Sequence, residues 1–197
     1  MIDVMMFDQG EPLYFIILKF WGNIFGKSPY TLMSLSLVIC TVNIYLFYKL
    51  AKRIFNEKVG LISTVIFATN SLNLHYSTDI RHYSLLLTAT LLSNYFFVTG
   101  LKNKKYFLLY TLTNNFGLLT HAFFSLVPLS HLIFLILNKR GSLKKYLKSF
   151  ILTGIIHLPW FYFITLKQIT QGVVASIRFS GSEAMTYKNH IANFKDA

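Results

Sequence analysis

The chain has 197 residues, of which 54% are hydrophobic and only 13% are charged, with a mean hydropathy of +0.50. A soluble domain is nearer a quarter charged, and a chain this short cannot bury so much apolar surface in a core of its own. The composition therefore excludes an ordinary soluble domain and favours an integral membrane protein. The single cysteine, Cys40, excludes an intrachain disulfide or a cysteine-bound metal cluster.

The first predicted element is a short helix near the start of the chain. Pro12 opens and Gly26 follows an apolar stretch that carries Lys19 and Trp21, in the usual order of proline first and glycine last. We predict an interfacial helix over 12–25 that lies along the membrane surface, with a short tilted span as the alternative. Residues 1–30 would then form an outer loop that contains this helix.

Six apolar stretches follow, near the length of roughly 17 to 25 residues that crosses a bilayer core. Each must be helical, because a backbone group without a partner is very costly in lipid. The predicted fold class is therefore all-α, a polytopic transmembrane helical bundle of about six spans over residues 31–166. The polar residues 167–197 are predicted to be an outer loop that is cut short. The spans are 31–50, 59–74, 82–101, 106–120, 122–137 and 146–166.

Charges separate between the two sides of this predicted bundle. The connections after the first, third and fifth spans hold 12 of the 19 basic residues, whereas the other side holds six of the seven acidic residues. By the positive-inside rule the basic loops are cytoplasmic, in a multi-pass protein of the cell membrane. The net charge of +12 then reflects topology, with membrane lipid and not nucleic acid as the partner. The acidic residues on the outer side are Asp3, Asp8, Glu11, Asp79, Glu183 and Asp196.

Two outer segments gather polar groups next to the membrane. Asp8 and Glu11 precede the interfacial helix, where the helix dipole alone would favour carboxylates. The short loop 75–84 holds Asp79, Arg81, two histidines and two tyrosines. One interpretation is an incidental Asp79–Arg81 ion pair. The other is a phosphate-handling site, with Arg81 as the anion clamp and Asp79 as a base or metal ligand.

The remaining histidines divide between a turn and two spans. His121 lies in the outer turn between the fourth and fifth predicted spans, where it is placed to join the site in loop 75–84. His131 and His157 lie within spans, and we predict that they hydrogen-bond to neighbouring helices. No histidine pair has metalloprotease spacing, and the sequence has no phosphate-binding or dinucleotide-binding glycine motif.

Four stretches resemble, in order and spacing, motifs of one group of membrane enzymes. DQGEPLYF at 8–15, continued to 26, is similar to the pattern D-x-H-P-P-L-Y-Y…L-K-L-W…L-F-G, and YSTDIRHYSLL at 76–86 is similar to Y-S-Q-E-A-R-x-Y-A-L-L. LTHAFF at 119–124 is similar to Y-T-H-Y-F, and LPW at 158–160 is similar to the L-P-W that closes a later span. These patterns belong to GT-C fold glycosyltransferases, in the dolichyl-phosphate-mannose protein mannosyltransferase-like group that includes lipid A aminoarabinose transferase.

The resemblance implies a glycosyltransferase that takes a sugar from a polyprenyl-phosphate donor. It implies transfer, usually with inversion, to a protein, glycan or lipid acceptor on the non-cytoplasmic face. Position by position, it implies Asp8 and Asp79 as catalytic carboxylates that act as a base or, where a divalent metal ion takes part, as its ligands. Arg81, helped by His121, would hold the lipid phosphate. The substrate-binding residues that it implies are Glu11, Arg81, His82, Tyr83 and His121.

The chain also departs from the pattern of this group. Members are much longer, so we expect a partial chain without the first span and without the principal catalytic carboxylate that follows it. Gly10 and Glu11 stand where the pattern has His and Pro. Two other functions stay open: a transporter or flippase, which needs ionisable groups near the bilayer midplane, and a non-catalytic membrane subunit. The charges avoid the predicted spans, which favours chemistry at the membrane surface.

Overall fold

The computed structural model describes residues 13–138, 143–160 and 162. In these residues every regular element is a helix, which confirms the all-α prediction. The chain divides into two compact units, Met1–His157 and Leu158–Ala197, and only four residues of the second are described. The α-helices are α1 (Leu13–Phe25), α2 (Pro29–Ile54), α3 (Glu57–Ala68), α4 (Ser71–Thr78), α5 (Tyr83–Lys102), α6 (Phe107–Thr120), α7 (Leu126–Leu137) and α8 (Leu143–Trp160). Short 3-10 turns cover Lys104–Tyr106 and Ala122–Ser125.

Two of the described helices are long and apolar enough to cross a bilayer. They are α2, with 26 residues, and α5, with 20 residues. At 1.5 Å per residue these lengths correspond to about 39 and 30 Å, and a bilayer core is about 30 Å thick. Helix α1 and the segment Ala122–Leu137 are apolar but shorter. The prediction of six spans is therefore not confirmed, and two of the six correspond to candidate spans in the structure.

The second predicted span, 59–74, is interrupted. Helix α3 ends at Ala68 and α4 begins at Ser71. Between them the Asn70 side chain accepts a hydrogen bond from the backbone N–H of Leu72 at 2.9 Å and caps α4. Asparagine favours such caps because its side chain competes for nearby backbone groups. An apolar stretch that looks continuous in sequence is thus two helices, of which α3 is only about 18 Å long.

Helices α2 and α5 lie at the centre of the described bundle and are joined by buried polar side chains. Helix α2 contacts α1, α3, α4 and α5, and α5 also contacts α6 and α7. Asn43 on α2 donates from Nδ2 to the backbone carbonyl of Ser84 at 2.8 Å and accepts from Thr88 Oγ1 at 2.8 Å. Between α5 and α6, Ser93 Oγ donates to Asn114 Oδ1 at 2.7 Å. Each bond ties one helix to the next through groups shielded from solvent.

The polar and apolar side chains are arranged as expected for helices packed in lipid. The residues Ser36, Asn43, Ser84 and Ser93 are fully buried between helices. Hydrogen bonds and small residues at helix contacts are typical of membrane bundles, whereas a large exposed apolar surface is rare in soluble proteins. Large apolar side chains are exposed on several helices, among them Leu37, Val42, Leu61, Ile62, Val65, Ile66, Ile151 and Ile155.

His131 makes the interhelical hydrogen bonds that its position in a span predicts. Its Nδ1 lies 3.1 Å from the Tyr110 hydroxyl on α6, and its Nε2 lies 3.3 Å from Asn94 Oδ1 on α5. The ring also stacks on Phe97 with centroids 4.0 Å apart. The prediction for His131 is confirmed, since its nitrogens are bonded between helices.

Candidate functional site

Five of the seven predicted site residues lie in the described part of the chain. Asp8 and Glu11 lie outside the described residues, so their predicted roles stay predictions. The others lie in the connection from α4 to α5, at the start of α5, and in the turn after α6. They are Asp79, Arg81, His82, Tyr83 and His121.

The connection between α4 and α5 is short and is anchored by an apolar side chain. Asp79 caps α4 in an extended conformation, with φ −87° and ψ 132°, and His82 caps α5. Between them Ile80 packs against the cluster of Tyr14, Phe15, Leu18, Leu35 and Leu85. Arg81 is exposed and Asp79 is half-buried. Ile80 therefore faces the apolar cluster, and the next residue, Arg81, places its charge at the surface.

A buried chain of two hydrogen bonds holds the main chain of this connection. Ser36 Oγ on α2 donates to the Asp79 carbonyl at 2.7 Å. The Ser36 hydrogen is used in that bond, so the Tyr14 hydroxyl, 2.9 Å away, donates to Ser36 Oγ. Tyr14 and Ser36 are fully buried, so water does not compete for the bond between them, and the bond from Ser36 to Asp79 is partly buried. The chain positions Asp79 through its backbone and does not involve its carboxylate.

Sequence reasoning did not find Tyr14 or Ser36 as positioning residues. Tyr14 belongs to the motif-like stretch at 8–15, but Ser36 lies within an apolar span, 22 positions further on. Only the packing of α1 on α2 brings these two hydroxyls together. No pattern in the sequence pairs them.

Neither charge on the connection is neutralised by an ion pair within the described part of the chain. Among the residues that the structure describes, no ion pair involves Asp79 or Arg81, and the pair that does form is Lys52–Glu57 on α2 and α3. The incidental Asp79–Arg81 ion pair that the sequence allowed is therefore not formed. Both groups are left available to a ligand.

His82 and His121 come together as a ring pair, although they are far apart in sequence. Their ring centroids are 4.7 Å apart and their planes differ by 27°. His82 is only 6% exposed, and its Nε2 is buried without a hydrogen-bond partner among the described residues. His121 Nδ1 accepts a hydrogen bond from the backbone N–H of Phe123 at 3.1 Å. The turn after α6 thus lies against the start of α5.

Burial favours the neutral form of both histidines. Burial lowers the pKa of His82 from 6.5 to about 4; His121 and Arg81 lower it further, and Asp79 opposes the shift. Burial also lowers the pKa of His121. Removing a base from water disfavours its charged form. The only full positive charge on the connection is therefore that of Arg81, because a guanidinium stays protonated.

A glycine allows the turn that carries His121. The backbone N–H of His121 bonds to the Gly117 carbonyl at 3.0 Å, and the turn folds Phe124 back onto Gly117. A methyl group at position 117 would lie 2.5 Å from three atoms of the Phe124 ring. Phe124 is fully buried, so the ring has little room to move. The close contact fixes where the chain leaves α6.

No metal site is assembled by the described residues. Within them, no three of the histidine, cysteine, aspartate and glutamate side chains lie close enough to hold an ion together. The predicted metal ligands are Asp8, which is not described, and Asp79. A divalent metal ion stays a prediction, and no catalytic step is assigned to one.

The fold and the surface groups together define a class of protein. Two helices are long and apolar enough to cross a bilayer, and the short connection before one of them carries Asp79 and Arg81 without an ion-pair partner among the described residues. These features are typical of a helical membrane protein with charged groups at a helix terminus. The family model for dolichyl-phosphate-mannose-protein mannosyltransferase matches residues 8–163. The chain belongs to this family, which confirms the resemblance and makes it a mannosyltransferase-like membrane glycosyltransferase. No curated protein and no solved structure matches it.

Proposed function

We propose that the chain transfers a sugar from a polyprenyl-phosphate donor to a hydroxyl of a protein, glycan or lipid acceptor at the non-cytoplasmic face of the cell membrane. One observation carries the proposal. The connection between α4 and α5 is fixed by the bond from Ser36 to its main chain, while the charges of Asp79 and Arg81 stay unpaired among the described residues. A connection built in this way keeps both charges for a substrate.

Arg81 is assigned to the phosphate of the donor. Its guanidinium is exposed at the start of α5, next to a helix of membrane length, where the headgroup of a membrane-embedded lipid would lie. Guanidinium groups bind phosphate oxygens through paired hydrogen bonds that an ammonium cannot match. As the sugar leaves, negative charge grows on the phosphate, and the fixed positive charge stabilises it.

Asp79 is assigned as the general base. Its carboxylate would take the proton of the acceptor hydroxyl as the acceptor oxygen bonds to the anomeric carbon of the sugar. The bond from that carbon to the phosphate oxygen breaks, and its electron pair stays on the lipid phosphate. The half-buried position of Asp79 and its fixed backbone favour this role. Asp8, which matches the family motif, is the alternative base.

The topology that goes with this function is multi-pass. The exposed apolar faces of α3, α6, α7 and α8 support further membrane contact beyond the two candidate spans. The loops that carry most of the lysines and arginines would lie in the cytoplasm, which puts the connection between α4 and α5 outside. Donor and acceptor would then meet at the outer surface.

The test uses the full chain in lipid nanodiscs with dolichyl phosphate mannose. Arg81→Ala should weaken binding of this donor about 10- to 100-fold, the usual effect of losing hydrogen bonds to a charged group. Arg81→Lys should be intermediate, because it keeps the charge and loses the paired geometry. Arg53→Ala, an exposed arginine at the far end of α2, is the matched control and should bind normally.

Turnover tests the base separately from binding. Asp79→Asn keeps the backbone carbonyl that Ser36 holds, so donor binding should be preserved. Release of dolichyl phosphate in the presence of acceptor should fall about 100-fold or more, in line with the loss of a general base. Unchanged binding by Arg81→Ala, or unchanged turnover by Asp79→Asn, would refute the corresponding assignment.

A further inference from the structure

The histidine pair at the candidate site has hydrogen-bonding capacity that the proposed chemistry does not use. His82 and His121 stack with their centroids 4.7 Å apart, and His82 also lies 4.6 Å from the Tyr83 ring. The row continues from Tyr83 to Tyr76 at 4.9 Å and from His121 to Phe123 at 5.0 Å. Five rings therefore run beside the connection that carries Asp79 and Arg81.

Two ring nitrogens of the pair have no hydrogen-bond partner in the described part of the chain. His121 Nδ1 accepts from the Phe123 backbone, so in the neutral ring the hydrogen lies on Nε2, which has no partner in the described part of the chain. His82 Nε2 is buried without a partner, in a side chain that is more than nine-tenths buried. Buried polar atoms are nearly always hydrogen-bonded, so this nitrogen requires a partner that the described protein does not supply.

The charge of the pair decides what kind of partner fits. Two neutral imidazoles offer hydrogen-bond donors and acceptors but no net charge, and stacked rings disfavour protonation of both. A phosphate binds more strongly to the charged guanidinium of Arg81 than to a neutral imidazole. A hydroxyl both donates and accepts, so it is the natural partner of a neutral imidazole. Flanking aromatic rings give such a group an apolar surface beside it.

We propose that His82 and His121 bind hydroxyl groups of the sugar on the donor, while Arg81 alone holds the phosphate. This inference rests on the proposed function, because it divides one donor between two parts of the same site. It changes the role that the sequence assigned to His121, from a helper at the phosphate to a group that recognises the saccharide. For His82, which the resemblance places among the substrate-binding residues without naming the part of the donor it meets, the inference assigns the sugar.

The test compares two lipids that differ only in the sugar: dolichyl phosphate and dolichyl phosphate mannose. His82→Phe keeps the ring stack and removes both nitrogens. His121→Asn keeps an acceptor for the Phe123 N–H and removes Nε2. Each should weaken binding of the mannose-bearing lipid about tenfold, the scale of a lost hydrogen bond that leaves a polar group unpaired, and change dolichyl phosphate binding by less than about twofold.

Matched variants complete the design. His82→Gln places an amide near the position of Nε2 and should restore much of the selectivity that His82→Phe loses. His75→Phe removes an exposed histidine that stacks only on Tyr76 among the described rings, and it should change neither affinity. Arg81→Ala should weaken the binding of both lipids by the same factor.

Each other result overturns the inference in a recognisable way. If the histidine variants weaken the binding of both lipids equally, the pair lies at the phosphate and not at the sugar. No effect on either lipid, or equal wild-type affinity for the two, would show that the pair does not contact the sugar. In those three cases the proposed function survives if Arg81→Ala still weakens binding. A wild-type chain that binds neither lipid would refute the proposed function and this inference together.

Discussion

The two ends of helix α2 are held by opposite means. Towards its N-terminal end, Ser36 is fully buried and is hydrogen-bonded both to the Tyr14 hydroxyl and to the Asp79 carbonyl. Near its last turn, Lys52 pairs with Glu57 at 3.0 Å, with side chains 43% and 62% exposed. Neutral hydrogen bonds away from water fix the first end, and charges in water face each other at the second.

The difference teaches which charges are available for chemistry. At the Lys52 end the charges neutralise each other, and Tyr48 donates to the same Glu57 oxygen at 3.2 Å. At the Ser36 end the structural bond goes to a backbone carbonyl, and the side chains of Asp79 and Arg81 form no ion pair with a described residue. Charged groups that do not stabilise the protein are the ones that a substrate can use.

Among substitutions that test this difference between the two ends, the one at Ser36 should have the largest effect. Ser36→Ala leaves the fully buried Tyr14 hydroxyl and the partly buried Asp79 carbonyl without their partner. Each unpaired group costs about 1–3 kcal/mol, so we expect a loss of about 2–4 kcal/mol in the free energy of unfolding and weaker donor binding. Thermal unfolding is followed by labelling Cys40, the only cysteine, which is buried on α2.

Two variants calibrate the Ser36 result. Ser130→Ala removes an exposed hydroxyl that bonds only to the Val127 carbonyl of its own helix, and it should unfold like the wild type. Tyr14→Phe removes one of the two bonds and should lose less than Ser36→Ala. If Ser36→Ala matches Ser130→Ala in both stability and donor binding, the buried chain does not position Asp79.

Gly117→Ala should have the next largest effect. Its new methyl group would meet the buried Phe124 ring at 2.5 Å, and overpacking of this kind costs about 1–3 kcal/mol. The turn that carries His121 would shift with the ring, so the selectivity for the mannose-bearing lipid should fall as well. Gly117→Ala with Phe124→Leu, which makes room for the methyl, should recover stability. A single Gly117→Ala variant with unchanged unfolding would contradict the tight contact.

The sequence could predict what depends on local pattern. Composition and the length of the apolar stretches predicted an all-helical chain, and the candidate spans α2 and α5 begin and end within a few residues of the predicted ranges. The break at Asn70 was missed, because a cap inside an apolar stretch differs from the helix interior by one side chain. Local motifs likewise found the connection between α4 and α5 and the turn at His121.

What the sequence could not predict depends on packing across helices. The Ser36–Asp79 bond joins positions 43 apart, and the His82–His121 stack joins two turns separated by α5 and α6. No spacing rule reaches across such distances. The neutral state of the histidines was also out of reach, since burial causes it and burial is a property of the fold.

A smaller effect is expected from acid, and its sign follows from His82. The pKa of His82 is about 4 in the folded protein, against 6.5 ordinarily, so between pH 6.5 and pH 4 the unfolded chain binds a proton that the folded chain does not. Stability should therefore be full above pH 6.5, fall as the pH drops towards 4, and level off below it. His121 and Arg81 strengthen this trend, and Asp79 weakens it.

Tryptophan fluorescence on heating measures this acid dependence in wild type and variants. His82→Phe should flatten the fall in unfolding temperature between pH 6.5 and pH 4, because the titrating group is gone. His75→Phe, at an exposed position in the same segment, should keep the wild-type slope. An equally steep fall in His82→Phe would assign the acid dependence to other groups.

The smallest effect is expected at the Lys52 end of α2, where a substitution should leave both stability and donor binding unchanged. Lys52→Ala removes an exposed ion pair, and such pairs contribute little because water and salt screen them. What brings α2 and α3 together there is backbone contact, since a methyl group at Gly60 would lie 3.1 Å from the Lys52 backbone nitrogen. Lys52→Ala should match the wild type in unfolding and donor binding at low and high salt. A loss as large as that of Ser36→Ala would mean that surface charge holds this bundle, and the distinction between structural and available charges would fail.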